Sequence, residues 1–224
     1  MNSYDLTKFF DLQLNEWPLL RKNFDNLKFL NKKLFSEGGF QLVSLFNPHR
    51  ITSSSAMVDP DSIRNRKCFL CAENLPPEQR HISYSGMMFL CNPYPVFPYH
   101  FTISSERHEP QSIMNGFEAF TGILNKIGDK YSLFYNGPEC GASAPDHLHF
   151  QASPSGLVPL EKEVETYFSS LINTSAGRVL ISNNYNRTAL LIQSEYVDFV
   201  QKTFPKIMDI LSGYKIDLIE LGVQ

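Results

Sequence analysis

Tyr135-Asn136-Gly137-Pro138-Glu139-Cys140-Gly141-Ala142-Ser143-Ala144-Pro145-Asp146-His147-Leu148-His149-Phe150-Gln151 is the stretch that decides how this chain folds and what it does. Small residues set a loop, and a strand then opens at His147. Within that strand His147, His149 and Gln151 alternate with Leu148 and Phe150, so the polar groups line one face and the apolar pair the other. Leu148 and Phe150 fix the register, because a slip of one residue would turn both histidines into the core. Loop amides and a hydroxyl can cradle oxyanions, and an imidazole on a rigid strand can act as a nucleophile. The combination points to phosphate chemistry. The plain alternative is a half-exposed strand whose histidines meet only solvent.

Cys68-Phe69-Leu70-Cys71 adds a C-x-x-C pair. With His108 and one strand histidine it makes two thiolates and two imidazoles, the donor set of a closed tetrahedral zinc site. The rival is a redox pair, which belongs at a helix start in a strand-helix-strand pattern. Here the pair stands between Asp61–Lys67 and Asn74-Leu75-Pro76-Pro77, which reads as a knuckle between loops. Cys91, in the apolar run Met87–Cys91, reads as a small buried hydrophobe. Cys140 reads as a loop filler or a reactive thiol.

At these residues the sequence resembles the histidine-triad superfamily, in the branch of galactose-1-phosphate uridylyltransferases, diadenosine tetraphosphate phosphorylases and GDP-hexose phosphorylases. That branch carries H-x-H-x-Q, matched here by His147-Leu148-His149-Phe150-Gln151. Asn136-Gly137-Pro138 and Gly141-Ala142-Ser143 resemble the phosphorylase loop. Cys68–Asn74 is similar to the uridylyltransferase zinc knuckle, and Asn47-Pro48-His49-Arg50 to the arginine-bearing turn before it. Asn92–Phe101 with His108 resembles the base-and-ribose strand pair. The match runs over residues 40 to 152.

The resemblance implies a role for each matched position. His149 would attack the α-phosphorus and carry the nucleotide, and Gln151 would hold the non-bridging oxygens. Substrate would also meet Arg50, Asn92, Asn136, Gly141 and Ser143. Cys68, Cys71, His108 and His147 would ligate a structural zinc ion. A metal on His147 would lock the strand's start and so aim His149. A backbone carbonyl accepting from the other ring nitrogen would set the tautomer that a neutral nucleophile needs.

The rest of the chain sets bounds. Its 224 residues, 42% apolar with 18 Phe and 10 Tyr, provide a sizeable core. A formal charge of −3 gives no basic field for nucleic acid. No charged-then-apolar signal segment or membrane-length apolar run is present, so the reading is cytoplasmic, with reduced cysteines and no membrane partner. Residues 4–30 read as helical with a break at Pro18, a packing appendage or else a cap or partner-binding arm. Lys33–Phe46 reads as a hairpin, and Met87–Cys91, His100–Ser104, Ser132–Tyr135 and His147–Ala152 as strands. Residues 111–128 form an amphipathic helix. Past Pro154-Ser155-Gly156 the pattern predicts a helix over Leu160–Asn173, strands at Val179–Ile181 and Ala189–Ile192, and a helix over Tyr196–Leu211 with Phe199, Phe204 and Leu211 inward.

The expected architecture is α+β: residues 1–155 as a histidine-triad-like antiparallel sheet with flanking helices, and residues 156–224 as a partial second half. The expected function is a nucleotidyltransferase or phosphorylase acting on a nucleoside polyphosphate or nucleotide sugar, with homodimerisation plausible. A nucleotide hydrolase and a non-catalytic zinc-stabilised nucleotide-binding module are the competing readings.

Overall fold

A computed structural model describes residues 2–37, 40–48, 59–185 and 187–213. The chain divides into two compact units, residues 1–164 and 165–224.

The first unit is built on a five-stranded antiparallel sheet of β3 (His81–Tyr84), β4 (Met87–Cys91), β5 (Phe101–Ser105), β6 (Tyr131–Phe134) and β7 (His149–Pro154). Their order is β3-β4-β5-β7-β6. One sheet face contributes Phe89, Cys91, Phe101, Ile103, Phe150 and Ala152 to the main core. Two helices cover it. From α1 (Ser3–Glu16) come Leu6, Phe10 and Leu14, and from α4 (Ile113–Ile127) come Ile123 and Ile127. The N-terminal helix therefore packs into the main core of the first unit. Pro18 breaks the helical run as expected and starts α2 (Pro18–Asp25) at a position where a missing N–H costs nothing.

Helix α4 approaches the sheet closely because Gly116 has no side chain. A Cβ there would lie 2.7 Å from Phe150 Cζ and about 3 Å from both Leu148 methyls. The opposite sheet face is mixed. Met88 and Leu90 pack with Cys68, Leu70, Cys71 and Ala144 in a second, smaller cluster. That is why all five residues of β4 are buried. Beside them on this face stand Thr102 and Ser104, which pair directly with Gln151 and His149. A separate hairpin, β1 (Asn31–Glu37) with β2 (Phe40–Phe46), fits the expectation for Lys33–Phe46, and the short helix α3 (Pro60–Asn65) leads into the knuckle. Among the described residues no helix is long and apolar enough to cross a membrane.

The second unit differs from the sequence reading in two places. The helix from Leu160, α5, ends at Tyr167, and Phe168–Asn173 is a strand, β8, rather than its continuation. Two serines and a β-branched Ile172 favour extended backbone, and pairing with β9 (Arg178–Ser182) satisfies it. β10 (Leu190–Gln193) completes a three-stranded antiparallel sheet. Val179, Leu180 and Tyr185 are buried there, with the rings of Tyr167 and Phe168 at 5.3 and 5.9 Å from that of Tyr185. The last helix, α6 (Val197–Gly213), buries none of its residues, and Leu211 is 51% exposed instead of inward.

Candidate functional site

The expected strand from His147 to Ala152 starts two residues late, at His149. His147 and Leu148 belong to the loop end. His147 N–H donates to the Ala144 carbonyl (3.2 Å) and Leu148 N–H to that of Glu109 (2.7 Å). This frees the His147 ring from the sheet and turns it toward the knuckle. Both histidines are buried, at 0% and 5% exposure, not lining an open face.

Cys68, Cys71, His108 and His147 present four ligand atoms all within 4.8 Å of one another. Cys68 Sγ lies 3.2 Å and Cys71 Sγ 3.7 Å from His147 Nδ1, and Cys71 Sγ lies 3.3 Å from His108 Nδ1. Zinc with ordinary bond lengths in tetrahedral geometry would set such S···N edges at about 3.5 Å. Donor chemistry and spacing therefore fit a metal ion. The back of the His147 ring is held as a ligating histidine would require. His147 Nε2 bonds the Ser105 carbonyl at 2.8 Å, which leaves Nδ1 able to ligate a metal ion. His108 Nε2 faces Asp146 at 3.9 Å, and Asp146 is fixed by Arg66 at 2.7 Å.

The electrostatics follow. Burial raises the Cys68 thiol, but the His147 hydrogen bond, the Leu70 amide and the imidazole's charge more than reverse this and bring it to about 6. Burial and the neighbouring Cys68 push Cys71 up, to about 11. Burial works to lower His147, but its Cys68 partner and the Ser105 carbonyl hold it above its ordinary value.

His149 is the reverse case. Burial is the main cause holding it below its ordinary value, so the ring is neutral near pH 7. Its Nδ1 lies 2.9 Å from the His147 carbonyl, which can only accept, so Nδ1 carries the proton and Nε2 the lone pair. Nε2 has no hydrogen-bond partner among the described residues. It is not among the unpartnered atoms sealed from water, which are Arg66 Nη1, Ser104 Oγ and Ser153 Oγ.

Gln151 shares the His149 face. Its Oε1 lies 2.9 Å from His100 Nε2, and its Nε2 donates to Asn136 Oδ1 at 2.9 Å. His100 Nδ1 accepts from Val96 N–H (3.3 Å), so Nε2–H donates and the Gln151 amide orientation is set. The second amide hydrogen of Gln151 stays free for an anionic oxygen. His100, expected to open the strand His100–Ser104, precedes β5 instead and is buried against Phe134 and Phe97. Asp146, the partner of Arg66 beside His108, carried no sequence signal beyond lying next to His147.

The other expected residues divide. Asn136 is in the cluster. Gly141 (φ +85°) and Ser143 are exposed on the loop between Asn136 and His147. Asn92 closes the turn after β4: its Oδ1 accepts from Tyr94 N–H and its Nδ2 donates to Thr102 Oγ1. Arg50, with His49, lies outside the described residues.

Residues 9–154 match the profile of a family described as "Domain of unknown function (DUF4922)". Among solved structures, yeast Ap4A phosphorylase Apa2 in complex with Ap4A is similar at 17% identity, over 87% of this chain and 72% of that one, with a TM-score of 0.45. The AMP complex of the same yeast protein is similar at 16% identity, over 87% and 70% of the two chains, with a TM-score of 0.43. No curated protein sequence matches.

Proposed function

This chain belongs to the DUF4922 family, and we propose that it transfers a nucleotidyl group from a nucleoside polyphosphate or nucleotide sugar to a phosphate-bearing acceptor through a covalent intermediate on His149. One observation carries this reading: the neutral His149 ring, its Nδ1 proton held by the His147 carbonyl and its Nε2 lone pair unengaged, beside the oriented Gln151 amide.

The step balances without an added base. His149 Nε2 attacks the α-phosphorus, a P–N bond forms, and the bond to the leaving phosphate oxygen breaks with its electron pair. The ring becomes a nucleotidyl-imidazolium whose Nδ1–H still donates to the His147 carbonyl. An acceptor phosphate oxygen then attacks phosphorus, the P–N electrons return to Nε2, and the neutral ring is restored. Two displacements through one imidazole give ping-pong kinetics. Gln151 N–H, with loop amides and Ser143, would hold the non-bridging oxygens as charge builds on them. Cys68, Cys71, His108 and His147 would hold zinc. Four protein ligands leave no open position, so the ion would supply rigidity rather than Lewis acidity.

Incubation with α-phosphate-labelled dinucleoside polyphosphates and nucleotide sugars should leave an acid-labile adduct on the native protein and none on His149→Ala. Product formation should depend on added phosphate or sugar phosphate rather than water. Normal turnover by His149→Ala overturns the mechanism, and water as the preferred acceptor makes the protein a hydrolase. The 5% exposure of His149 favours one further reading, a metal-stabilised nucleotide-binding module that forms no adduct.

A further inference from the structure

Gln111 stands between β6 and β7 where their pairing stops. The last pair is Phe134 with Gln151, and beyond it the chain leaves for the loop of residues 135–146. Leu148 turns its carbonyl to Ser105 N–H on the β5 side, so alternation points the His149 N–H and C=O toward the side that β6 has vacated. Left there, both groups would be buried without a hydrogen-bond partner.

The Gln111 side chain takes them. Its Oε1 accepts from His149 N–H at 2.7 Å, and its Nε2 donates to the His149 carbonyl at 3.1 Å and to the Asn136 carbonyl at 2.8 Å. Its own backbone N–H donates to the Pro145 carbonyl at 3.3 Å. One residue, 3% exposed, therefore mimics a strand partner for the nucleophile and ties down both feet of the loop.

We propose that Gln111 is a positioning residue that holds the His149 backbone and the oxyanion loop in one fixed relation, so that Nε2 of His149 meets the phosphorus bound against the loop. This rests on the nucleotidyl-transfer reading for its consequence, but not for its geometry. Gln111→Met keeps length and volume while removing every polar contact of the side chain; Gln111→Glu keeps the acceptor for His149 N–H and loses both donors.

Two measurements decide it. In the native protein, residue-resolved amide exchange should find His149 N–H protected as strongly as the neighbouring Phe150, because Gln111 alone covers it; fast exchange at His149 beside a protected Phe150 overturns the proposal whatever the variants do. In Gln111→Met, exchange should rise at His149 and over residues 136–146 while metal content stays at the native level. For the nucleotide found active on the native protein, kcat should then fall on the order of 100-fold with KM within a few-fold, as a misplacement near 1 Å would give. Gln111→Glu should fall between the two. Native-like kcat in a folded Gln111→Met overturns the proposal. A native protein that transfers nothing to any acceptor, yet shows the protected His149 amide, sinks the functional reading and leaves the clasp standing.

Discussion

His147 and His149 are two residues apart, equally buried, and opposite in chemistry. His147 has its Nε2 pinned to a carbonyl and turns Nδ1 to two thiols. His149 has its Nδ1 pinned to a carbonyl and turns Nε2 away. Against burial, Cys68 and the Ser105 carbonyl hold the first above its ordinary value, and burial holds the second below. The group behind the ring decides which nitrogen is offered, and the groups in front decide what that nitrogen could meet. Burial alone distinguishes neither.

The sharpest break of this comparison is His149→Ala. Transfer should fall by at least about 10⁴-fold in kcat, the scale at which a nucleophile is lost, while metal content measured by emission spectroscopy stays native. His147→Ala, or prolonged chelation, should do the converse: metal is lost and unfolding comes earlier by about 3 kcal/mol, roughly 6–12 °C in a melting scan. If both substitutions release the metal, the two rings are not separate in function.

His100→Phe keeps the aromatic packing and removes the donor that orients Gln151. Steady-state kinetics should show kcat down roughly 10-fold, the worth of one misdirected charge-stabilising donor. Gly116→Ala places a methyl against Phe150 and Leu148, the residues flanking His149, and denaturant melts should read a loss of about 1–3 kcal/mol. The smallest effect lies away from both rings. Burial raises Cys91 and Tyr131 above their ordinary values, so the unfolded chain releases these protons first as pH rises. At these two groups it then binds fewer protons than the folded chain, and their contribution to stability falls with pH from the ordinary thiol value of 9.0 upward. The Cys91 share, read as the difference between melts of the native protein and of Cys91→Ala, should shrink by about 1 kcal/mol between neutral pH and about pH 10.

Much of this was legible in the sequence. The two-residue alternation marked the sheet, the helical recurrence marked the core helices, and the C-x-x-C pair with His108 and His147 marked the cluster that the structure closes. Local pattern misled where a local tendency was strong: Leu160–Asn173 carries helical spacing, yet pairing with β9 takes Phe168–Asn173 as strand. The supports of the site were illegible for a different reason. Gln111 meets His149 across 38 positions and His100 meets Gln151 across 51, and an amide or an imidazole in a loop carries no periodicity to announce its partner. Such residues become visible only once register is known.

The spacing of the Cys68, Cys71, His108 and His147 cluster has one more consequence. Cys68 and Cys71 are neighbours in the chain, but His147 arrives 79 positions after Cys68. A nascent polypeptide could therefore offer an ion two thiolates and the His108 imidazole before His147 is made, and only the arrival of His147 would close the shell. If the cluster holds an ion, scarcity of that ion during synthesis would strand molecules at that late stage, with the His149 segment still unanchored.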